Sequence, residues 1–549
     1  MNRNEHLHRL RNEAFDLCII GGGASGAGCA LDAALRGLKV CLVEKTDFAA
    51  ETSSRSTKLI HGGVRYLEQA FKKLDVAQLR QVRHGLEERH ILLANAPHLA
   101  HPLPLLTPVF HRWEAWYYRI GLWLYDWFAA RKDQLPKSRY LNRAETLRRS
   151  PGLTTRLRGA VCYYDGQLDD ARYCLALVQS AAEAGAVVLN HATLTRFFHR
   201  ENHELEAAEI RDELAAGKGE AGIRVKARVF LNCTGPAADQ LRQLANPRLP
   251  KRIQASKGAH IVLPASILPG NDALLIPKTA DGRVVFAVPF DGHVLVGTTD
   301  EAFSEQDTEP LADGDDLRFL ISTLKPYLAR SISPTDVSAA FAGVRPLIKA
   351  GDSHATKRML RDHEVEHDPE SGLFSLMGGK WTTYRLMARD AVDAVCASLQ
   401  HTSACRTADY KLAGATRYEP GIWREIQLVT GFDDNICRHL EWRYGDRAMQ
   451  VVSLAVEDAS LAQPLSPGWP FIAAEVVWAA RHEMACTLRD MLARRVRLEI
   501  ADWQAAEAVA EPVATLMARE LGWDEARRQR ETSLYRKQLA DFRARLFSR

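Results

Sequence analysis

Three glycines at a fixed spacing, Gly21, Gly23 and Gly26, are the first residues of this sequence that indicate chemistry. They form a G-x-G-x-x-G pattern between an apolar run and a stretch of small, helix-favouring residues. In such a pattern the first glycine permits a tight turn, the second lets the backbone approach a pyrophosphate, and the third lets the helix pack closely on the strand. Amides at the start of that helix attract the phosphates. The pattern predicts a dinucleotide-binding turn made of Gly21, Gly22, Gly23, Ala24, Ser25 and Gly26.

An acidic residue follows this turn where a dinucleotide site requires one. Residues 17–20 predict a short buried strand, residues 24–37 a helix ending at Gly37, and residues 40–43 a second buried strand. Glu44 closes the second strand, where its carboxylate can accept hydrogen bonds from the ribose hydroxyls of an adenosine. Its charge argues against a 2′-phosphate, whereas the motif by itself fits both FAD and NAD.

Later segments of the chain predict further strands of this sheet and also the strands of a second sheet. Residues 228–242 and 374–395 each read as a strand, a glycine turn and a helix. Between residues 257 and 300 the pattern changes to alternating strands separated by Asp281-Gly282 and Asp291-Gly292, which is typical of antiparallel hairpins. Beyond about residue 400 the periodicity is helical. The predicted fold class is α/β, a Rossmann-like domain with an antiparallel β subdomain and a C-terminal helical domain.

Composition excludes several classes of protein. A chain of 549 residues is too long for a single hydrophobic core, so roughly two to four structural units are predicted. The net charge of +4 suits an anionic substrate or membrane surface, but it is too small to indicate nucleic acid. The ten cysteines form no C-x-x-C pair, so no metal site is predicted.

Five stretches, in order along the chain, resemble the FAD-dependent glycerol-3-phosphate dehydrogenases. They are TSSRSTKLIHGGVRYLE at 52–68, APHLA at 96–100, KGAHIVLP at 257–264, AGVRPLI at 342–348 and GGKWTTYR at 378–385. The resemblance covers about residues 14–400 and is looser beyond, although that family also has a helical C-terminal domain. Arg55 and Trp381 depart from it, since a small and an aliphatic residue are usual there.

The resemblance implies a non-covalent FAD and a division of the chain. Residues 1–400 are expected to form the FAD-binding domain, with an antiparallel substrate-binding subdomain inserted at about 257–340, and residues 401–549 the helical domain. Besides the glycine turn and Glu44, the implied cofactor-binding residues are Thr52, Ser53, Gly235, Gly378, Gly379, Lys380, Thr382 and Thr383.

The resemblance also implies a reaction, the oxidation of sn-glycerol 3-phosphate to dihydroxyacetone phosphate by hydride transfer from C2 to FAD. Electrons then pass to a membrane quinone. Arg345 and Arg65 are expected to hold the phosphate, with Tyr66 beside them. The guanidinium fork suits this role because it matches phosphate oxygens bidentately.

Loss of a hydride from C2 becomes easier as the adjacent hydroxyl gives up its proton, so a general base is required. His260 is the first candidate because histidine titrates near working pH, and His61 is the rival. Lys380 can stabilise the developing alkoxide and the reduced flavin, or serve as a pyrophosphate-binding or structural lysine. Asp169 and Asp170 are interpreted as helix caps only.

Residues 111–132, HRWEAWYYRIGLWLYDWFAARK, carry four of the eleven tryptophans. The apolar positions with helical spacing are Trp113, Trp116, Tyr117, Ile120, Trp123, Leu124 and Trp127. Such a stripe with basic flanks predicts a helix lying in a membrane surface, and a core or dimer-interface helix is the alternative. With no secretory signal or spanning segment, the expected location is the cytoplasm, peripherally attached to the inner face of the cell membrane.

Two other classes of function stay open from the sequence. One is a related FAD-dependent oxidase of an amine or 2-hydroxy acid that uses oxygen, which would need one arginine for a carboxylate. The other is a catalytically inactive FAD-containing scaffold, against which the set Arg65, His260, Arg345 and Lys380 speaks. The expected partners are glycerol 3-phosphate, a membrane quinone and a membrane surface, and a homodimer is left open.

Overall fold

A computed structural model describes residues 1–61, 76–111, 113–114, 116, 135–215, 222–277, 279, 282–303, 309–349 and 363–548. Its helices are α1 (Arg3–Asn12), α2 (Ala24–Leu35), α3 (Val76–Asn95), α4 (Arg143–Arg149), α5 (Asp170–Glu183), α6 (Ala238–Ala245), α7 (Gly314–Leu324), α8 (Tyr384–Ser398), α9 (Ile422–Thr430), α10 (Asp434–Tyr444), α11 (Ala448–Glu457), α12 (Ala473–His482), α13 (Leu498–Ala501), α14 (Trp503–Leu521) and α15 (Glu525–Leu546).

The strands are distributed over the first 380 residues. They are β1 (Ala14–Ile20), β2 (Val40–Val43), β3 (Leu59–Ile60), β4 (Ala100–Val109), β5 (Arg139–Asn142), β6 (Gly159–Leu168), β7 (Val187–Leu189), β8 (Ala192–His199), β9 (Leu205–Asp212), β10 (Ile223–Asn232), β11 (Ile253–Pro264), β12 (Ala273–Ile276), β13 (Val285–Phe290), β14 (His293–Gly297), β15 (Glu301–Ala302), β16 (Ala339–Ile348), β17 (His363–His367) and β18 (Phe374–Gly378).

The first sheet is mainly parallel and carries the glycine motif. Its order is β17-β18-β10-β1-β2-β7, with β9 pairing both β10 and β8. Strands β18, β10, β1, β2 and β7 run parallel, so the ends of β1, β10 and β18 meet at one edge. Helix α2 packs against α5 and α8, which explains why the strand residues are apolar without alternation. The predicted Rossmann-like sheet is confirmed.

The second sheet is antiparallel except where β12 runs parallel to β4. Its order is β15-β11-β14-β13-β12-β4-β6-β3, with β16 pairing β11 and β5 pairing β6. Strands β13 and β14 form a hairpin through Asp291 and Gly292, whose φ angles of 46° and 71° suit a two-residue turn. Because β3 to β6 belong to it, this sheet extends beyond the 257–340 segment assigned from the sequence.

Beyond α8 the chain is helical. Helices α9–α15 follow an irregular stretch, and part of them shares one hydrophobic core with the second sheet. Ile261 and Val296 of the sheet belong to the same core as Phe471 and Trp503. The C-terminal helices are therefore packed directly behind the antiparallel sheet, which confirms the predicted helical C-terminal domain as a layer of the fold.

Two tryptophans of the stripe are described, and both are on the surface. Trp113 and Trp116 are 62% and 68% exposed. Tyr117, Ile120, Trp123, Leu124 and Trp127 lie outside the described residues. Within the described part of the chain, every helix is too short or too polar to cross a lipid bilayer.

Candidate active site

The glycine turn lies at the edge of the parallel sheet, between β1 and α2. The N-cap of α2 is Gly23, which offers no side chain to the first helical amides. Ser53 instead accepts a hydrogen bond from the Ala24 amide at 2.9 Å. A Cβ on Gly26 would lie 1.8 Å from the Gly21 carbonyl oxygen, so only glycine allows α2 to pack this closely on β1. The N-terminus of α2 thus lies at the sheet edge, as a pyrophosphate site requires.

Glu44 lies at the end of β2, beside this turn. Its carboxylate accepts hydrogen bonds from the Gly22 amide at 2.6 Å and from the Thr46 amide at 2.9 Å. Burial raises the pKa of Glu44, and these amide bonds oppose that effect. The side chain is therefore fixed at the sheet edge, where an adenosine ribose would lie in a dinucleotide complex.

Two further loops lie at the same edge because β10 and β18 are adjacent and parallel. Gly235 begins a 3₁₀ turn after β10, and Gly378 ends β18. A Cβ on Gly235 would meet no atom within 4 Å, so this loop faces open space. Gly379 and Lys380 follow, and Lys380 is the N-cap of a short 3₁₀ helix that includes Thr382 and Thr383.

The segment that links the two sheets is tied to both. Thr52 donates its hydroxyl hydrogen to the Val344 carbonyl at 2.6 Å, and the Trp381 indole donates to the Ser53 carbonyl at 2.9 Å. The unusual tryptophan at 381 therefore fixes this loop to the end of β18. A helix N-terminus, a fixed carboxylate and glycine loops lie together at one edge of the sheet, and this arrangement fits FAD. The groups that would hold the cofactor are Gly21–Gly26, Glu44, Ser53 and residues 378–383.

His260 lies on β11, the second strand from one edge of the antiparallel sheet. It is paired with Gly297 of β14 on one side and Phe341 of β16 on the other. Its ring stacks on Phe341 at 4.9 Å, and its Nε2 is 3.0 Å from the Thr57 hydroxyl. A Cβ on Gly297 would lie 2.0 Å from the imidazole, so the ring covers a position that must be glycine.

The imidazole of His260 is held in its neutral form. The side chain is buried, and within the described residues its Nδ1 has no hydrogen-bond partner. Desolvation lowers the pKa of His260 well below its usual value, and the positive charges of Lys58 and Arg345 lower it further. A neutral imidazole is the state in which histidine can accept a proton.

Arg345 lies close to His260 although the two are far apart in sequence. Strand β16 pairs Arg345 with Ser256, and the guanidinium extends over Gly258, where a Cβ would be 2.5 Å from Nη2. Gly258 and His260 are two residues apart on β11 and therefore face the same side of the sheet. The imidazole of His260 and the guanidinium of Arg345 consequently share one face.

Polar groups around Arg345 form a site suited to an anion. Arg345 donates to Thr298 Oγ1 at 3.1 Å and to Asp300 Oδ1 at 3.2 Å, while Arg283 donates to the Asp300 carbonyl at 3.0 Å. Desolvation lowers the pKa of Arg345, and Arg283 acts in the same direction against the opposing charge of Asp300. Two neighbouring guanidinium groups create a positive potential that a bound dianion would relieve.

Comparisons with known proteins identify the family. A family model described as "FAD dependent oxidoreductase" matches residues 16–391, and one described as "C-terminal domain of alpha-glycerophosphate oxidase" matches residues 405–528. A probable mitochondrial glycerol-3-phosphate dehydrogenase of Caenorhabditis elegans is 40% identical over 531 residues, covering 94% of this chain and 72% of that protein. The chain belongs to the FAD-dependent glycerol-3-phosphate dehydrogenase family.

Other members of the dehydrogenase family agree. The mitochondrial glycerol-3-phosphate dehydrogenase SDP6 of Arabidopsis thaliana is 40% identical over 556 residues, covering 97% of this chain and 87% of that protein. The crystal structure of the glycerol-3-phosphate dehydrogenase from Bacillus halodurans complexed with FAD has a TM-score of 0.79 and 29% identity, and the match covers 98% and 97% of the two chains. FAD is accordingly the cofactor of this dehydrogenase.

The remaining predicted residues of the dehydrogenase site divide into two groups. His61 follows β3, and desolvation by the surrounding protein lowers its pKa, with the charge of Asp165 opposing this effect and that of Lys380 adding to it. His61 therefore lies near Lys380, on the side of the β18 loop, while His260 lies with Arg345. Arg65 and Tyr66 lie outside the described residues.

Sequence reasoning missed several polar residues of the dehydrogenase site. Thr57 and Lys58 belong to the 52–68 motif, and Arg283 directly follows a predicted turn. The position of each in the sequence could therefore have marked it as a candidate site residue. Asp169 is the predicted N-cap of α5, but it is not only a cap, because its carboxylate also pairs with Arg443 and Arg497. The interpretation of Asp170 as only a cap is wrong, because its carboxylate is fully buried and forms ion pairs with Lys58 and Arg497. Arg55 pairs with Glu309 at 2.8 Å.

Proposed function

We propose that this chain oxidises sn-glycerol 3-phosphate to dihydroxyacetone phosphate and transfers the electrons to a membrane quinone. The observation that supports the substrate is one face of the antiparallel sheet, on which the guanidinium of Arg345 extends over Gly258, two residues along β11 from the neutral imidazole of His260. A phosphorylated alcohol needs both groups, since its hydroxyl must lose a proton while its phosphate is held in place.

In this proposal Arg345 binds the phosphate, and Thr298 and Arg283 complete the anion site. The C2 hydroxyl then lies toward His260, which accepts its proton as the hydride leaves C2. FAD supplies the hydride acceptor when it is bound. Lys380 lies at the edge where FAD would be held, and its charge stabilises the anion that develops on the substrate. A paired-arginine site favours a phosphate over the single carboxylate of an amino or hydroxy acid.

Anaerobic titration of the yellow holoprotein tests the reaction. sn-Glycerol 3-phosphate is expected to bleach the oxidised flavin band, while glycerol and lactate at the same concentrations leave it unchanged. Because glycerol lacks the dianion and lactate has a carboxylate instead, these two compounds separate phosphate recognition from alcohol chemistry. Bleaching by lactate but not by the phosphate would contradict the proposal and favour an oxidase of hydroxy acids.

Attachment to a membrane is the second part of the proposal. The exposed Trp113 and Trp116 support it, because an indole buries a large apolar area at the lipid interface while keeping its N–H hydrated. The expected location is peripheral, on the inner face of the cell membrane. A homodimer stays open, and residues 1–400 are proposed to carry FAD and substrate, with 401–549 as the helical domain.

Sedimentation with anionic phospholipid vesicles tests the attachment. Replacing both Trp113 and Trp116 by serine is expected to leave the protein in the supernatant, because the apolar area is worth ~25 cal/mol per Å² buried. Activity with a soluble quinone-like dye should persist. Trp442→Ser, which removes a tryptophan that is 58% exposed on α10, is the matched control and should still sediment. Equal loss of sedimentation in both proteins would refute a specific membrane surface at Trp113 and Trp116.

A further inference from the structure

Three charged side chains from distant parts of the chain form one buried cluster beneath the candidate active site. Lys58 Nζ lies 2.7 Å from one carboxylate oxygen of Asp170, and Arg497 Nη2 lies 2.8 Å from the other. All three side chains are fully buried. Buried ion pairs seldom add net stability, because desolvation of the charges offsets their attraction.

The cluster holds the loop that joins the FAD site to the base. The Ser54 carbonyl accepts hydrogen bonds from Lys58 Nζ at 2.6 Å and from Arg497 at 3.2 Å. The amide and hydroxyl of Ser56 both donate to Asp170, at 3.0 and 2.7 Å. The next residue, Thr57, contacts His260. Arg497 and Asp170 thus fix the loop on both sides of the residue that orients the imidazole.

The cluster also acts on His260 through its charge. Lys58 Nζ lies 5.1 Å from the centroid of the Phe341 ring, which stacks on His260. Burial lowers the pKa of Lys58 to about 8, against the opposing charge of Asp170. Among the residues that the structure describes, Lys58 and Arg345 are the charged groups that lower the pKa of His260, and its neighbours Thr57, Gly297 and Phe341 are uncharged. A positive charge here keeps the imidazole unprotonated.

We infer that Arg497, from the C-terminal helical region, is a positioning residue for the catalytic base, acting through Asp170, Lys58 and the loop at residues 54–57. This inference rests on the proposed function, in which His260 accepts the substrate proton. Arg497 lies two residues beyond the π-helical turn Asp490–Arg495, so the C-terminal helices contribute directly to the proposed arrangement of the active site.

Rapid-reaction measurements of flavin reduction by sn-glycerol 3-phosphate test the inference on the holoprotein, across about pH 4 to 9. Arg497→Met is expected to lower the limiting rate constant by at least ~10-fold while the substrate Kd changes by less than about threefold, since the loop and not the phosphate site is loosened. Arg497→Lys, which keeps the charge but not both bonds, should recover part of the rate.

Lys58→Met tests the electrostatic part. Loss of the positive charge raises the pKa of His260, so the neutral imidazole forms at higher pH and the acid limb of the rate profile moves up by about one pH unit. Arg495→Met is the matched control. Arg495 is a buried arginine of the same segment, but it pairs with Asp47 rather than with Asp170, and its removal should leave both the limiting rate and the profile unchanged.

The outcomes separate the possibilities. Wild-type rates and profiles in Arg497→Met and Lys58→Met overturn the inference, as does an equal rate loss in Arg495→Met, which would indicate general packing of the C-terminal helices. If Arg497→Met yields no folded holoprotein, Arg497→Lys and Lys58→Met decide in the same way. His260→Gln distinguishes failure of the proposed function from failure of this inference. If the variant reduces flavin at the wild-type rate, His260 is not the base. If it is slow while the variants of Arg497 and Lys58 behave like the wild type, only the role of Arg497 is overturned.

Discussion

At the scale of single residues, the site depends on two side chains that lie on neighbouring strands. Arg345 on β16 and His260 on β11 lie on the same face of the sheet, because the two strands are paired over ten consecutive residues. The guanidinium is 35% exposed, whereas the imidazole is buried. The group proposed to bind the anion is thus accessible to solvent while the proposed base is shielded from it, which suits a substrate that enters with its hydroxyl end first.

Arg345→Ala is expected to impair substrate recognition. A charge-assisted hydrogen bond contributes about 1.5–3 kcal/mol, so kcat/KM should fall by at least ~10- to 100-fold. FAD content should remain normal, because Arg345 lies on the second sheet and not at the cofactor edge. Steady-state kinetics with sn-glycerol 3-phosphate measure the effect.

Arg330→Ala is the matched control for this change. Arg330 is a surface arginine that pairs with Asp336 and takes no part in the site. Its kinetic constants should match those of the wild type. Unchanged kcat/KM in Arg345→Ala would remove this arginine from the phosphate site.

At the scale of elements, the contact between β1 and α2 determines whether the cofactor binds. Gly26→Val places side-chain atoms where the Gly21 carbonyl lies, so α2 must move away from β1 and the glycine turn must change shape. The expected result is a folded or partly folded protein with little bound FAD, measured by the flavin absorbance of the purified protein.

Gly37→Ala is the corresponding control at the other end of the same helix. Its φ of 90° makes any side chain unfavourable, but a Cβ there would meet no atom within 4 Å. Some loss of stability with full FAD content is therefore expected. Normal flavin content in Gly26→Val would show that close packing of α2 on β1 is dispensable.

The elements also show how far the sequence could predict this fold. The β1-α2-β2 unit was predictable because its signals, glycines and apolar runs, lie within thirty residues. The full second sheet was not, because β12 pairs with β4 across more than 160 residues and no local pattern specifies that partner. His260 and Arg345 were identified as motif residues, but their common face follows from the β11–β16 register. Lys58, Asp170 and Arg497 share no spacing at all, so only the folded chain brings them together.

At the scale of the whole molecule, ion pairs join the C-terminal helices to the remainder of the chain. One of them, between His191 and Asp490, joins the end of β7 to the π-helical turn at 2.8 Å. Burial alone would lower the pKa of His191, but the charge of Asp490 and the hydrogen bond to it raise the pKa above its usual value. The pair therefore links the packing of the two regions to pH.

His191→Gln is expected to lose a stabilisation that depends on pH. Because the pKa is raised in the folded state, the contribution is complete below the unfolded value of about 6.5 and is lost as the pH rises through the folded value. The difference in free energy of unfolding between wild type and variant should thus be largest near pH 6 and shrink toward pH 8. Urea denaturation across this range provides the measurement, and a difference that grows with pH would contradict the prediction.

The buried charges between the two regions have a consequence for cooperativity. Arg172 pairs with Glu483, Arg494 and Arg495 pair with Asp47, and Arg497 pairs with Asp170, all of them buried. If the helices separated from the sheets, these charges would lose their partners and the apolar core that the two regions share would be exposed to water. A partly unfolded form with one region intact is therefore strongly disfavoured, and the holoprotein should melt in a single calorimetric transition. For the same reason, a fragment that ends near residue 400 should not fold, and the two regions should be expressed together as one chain.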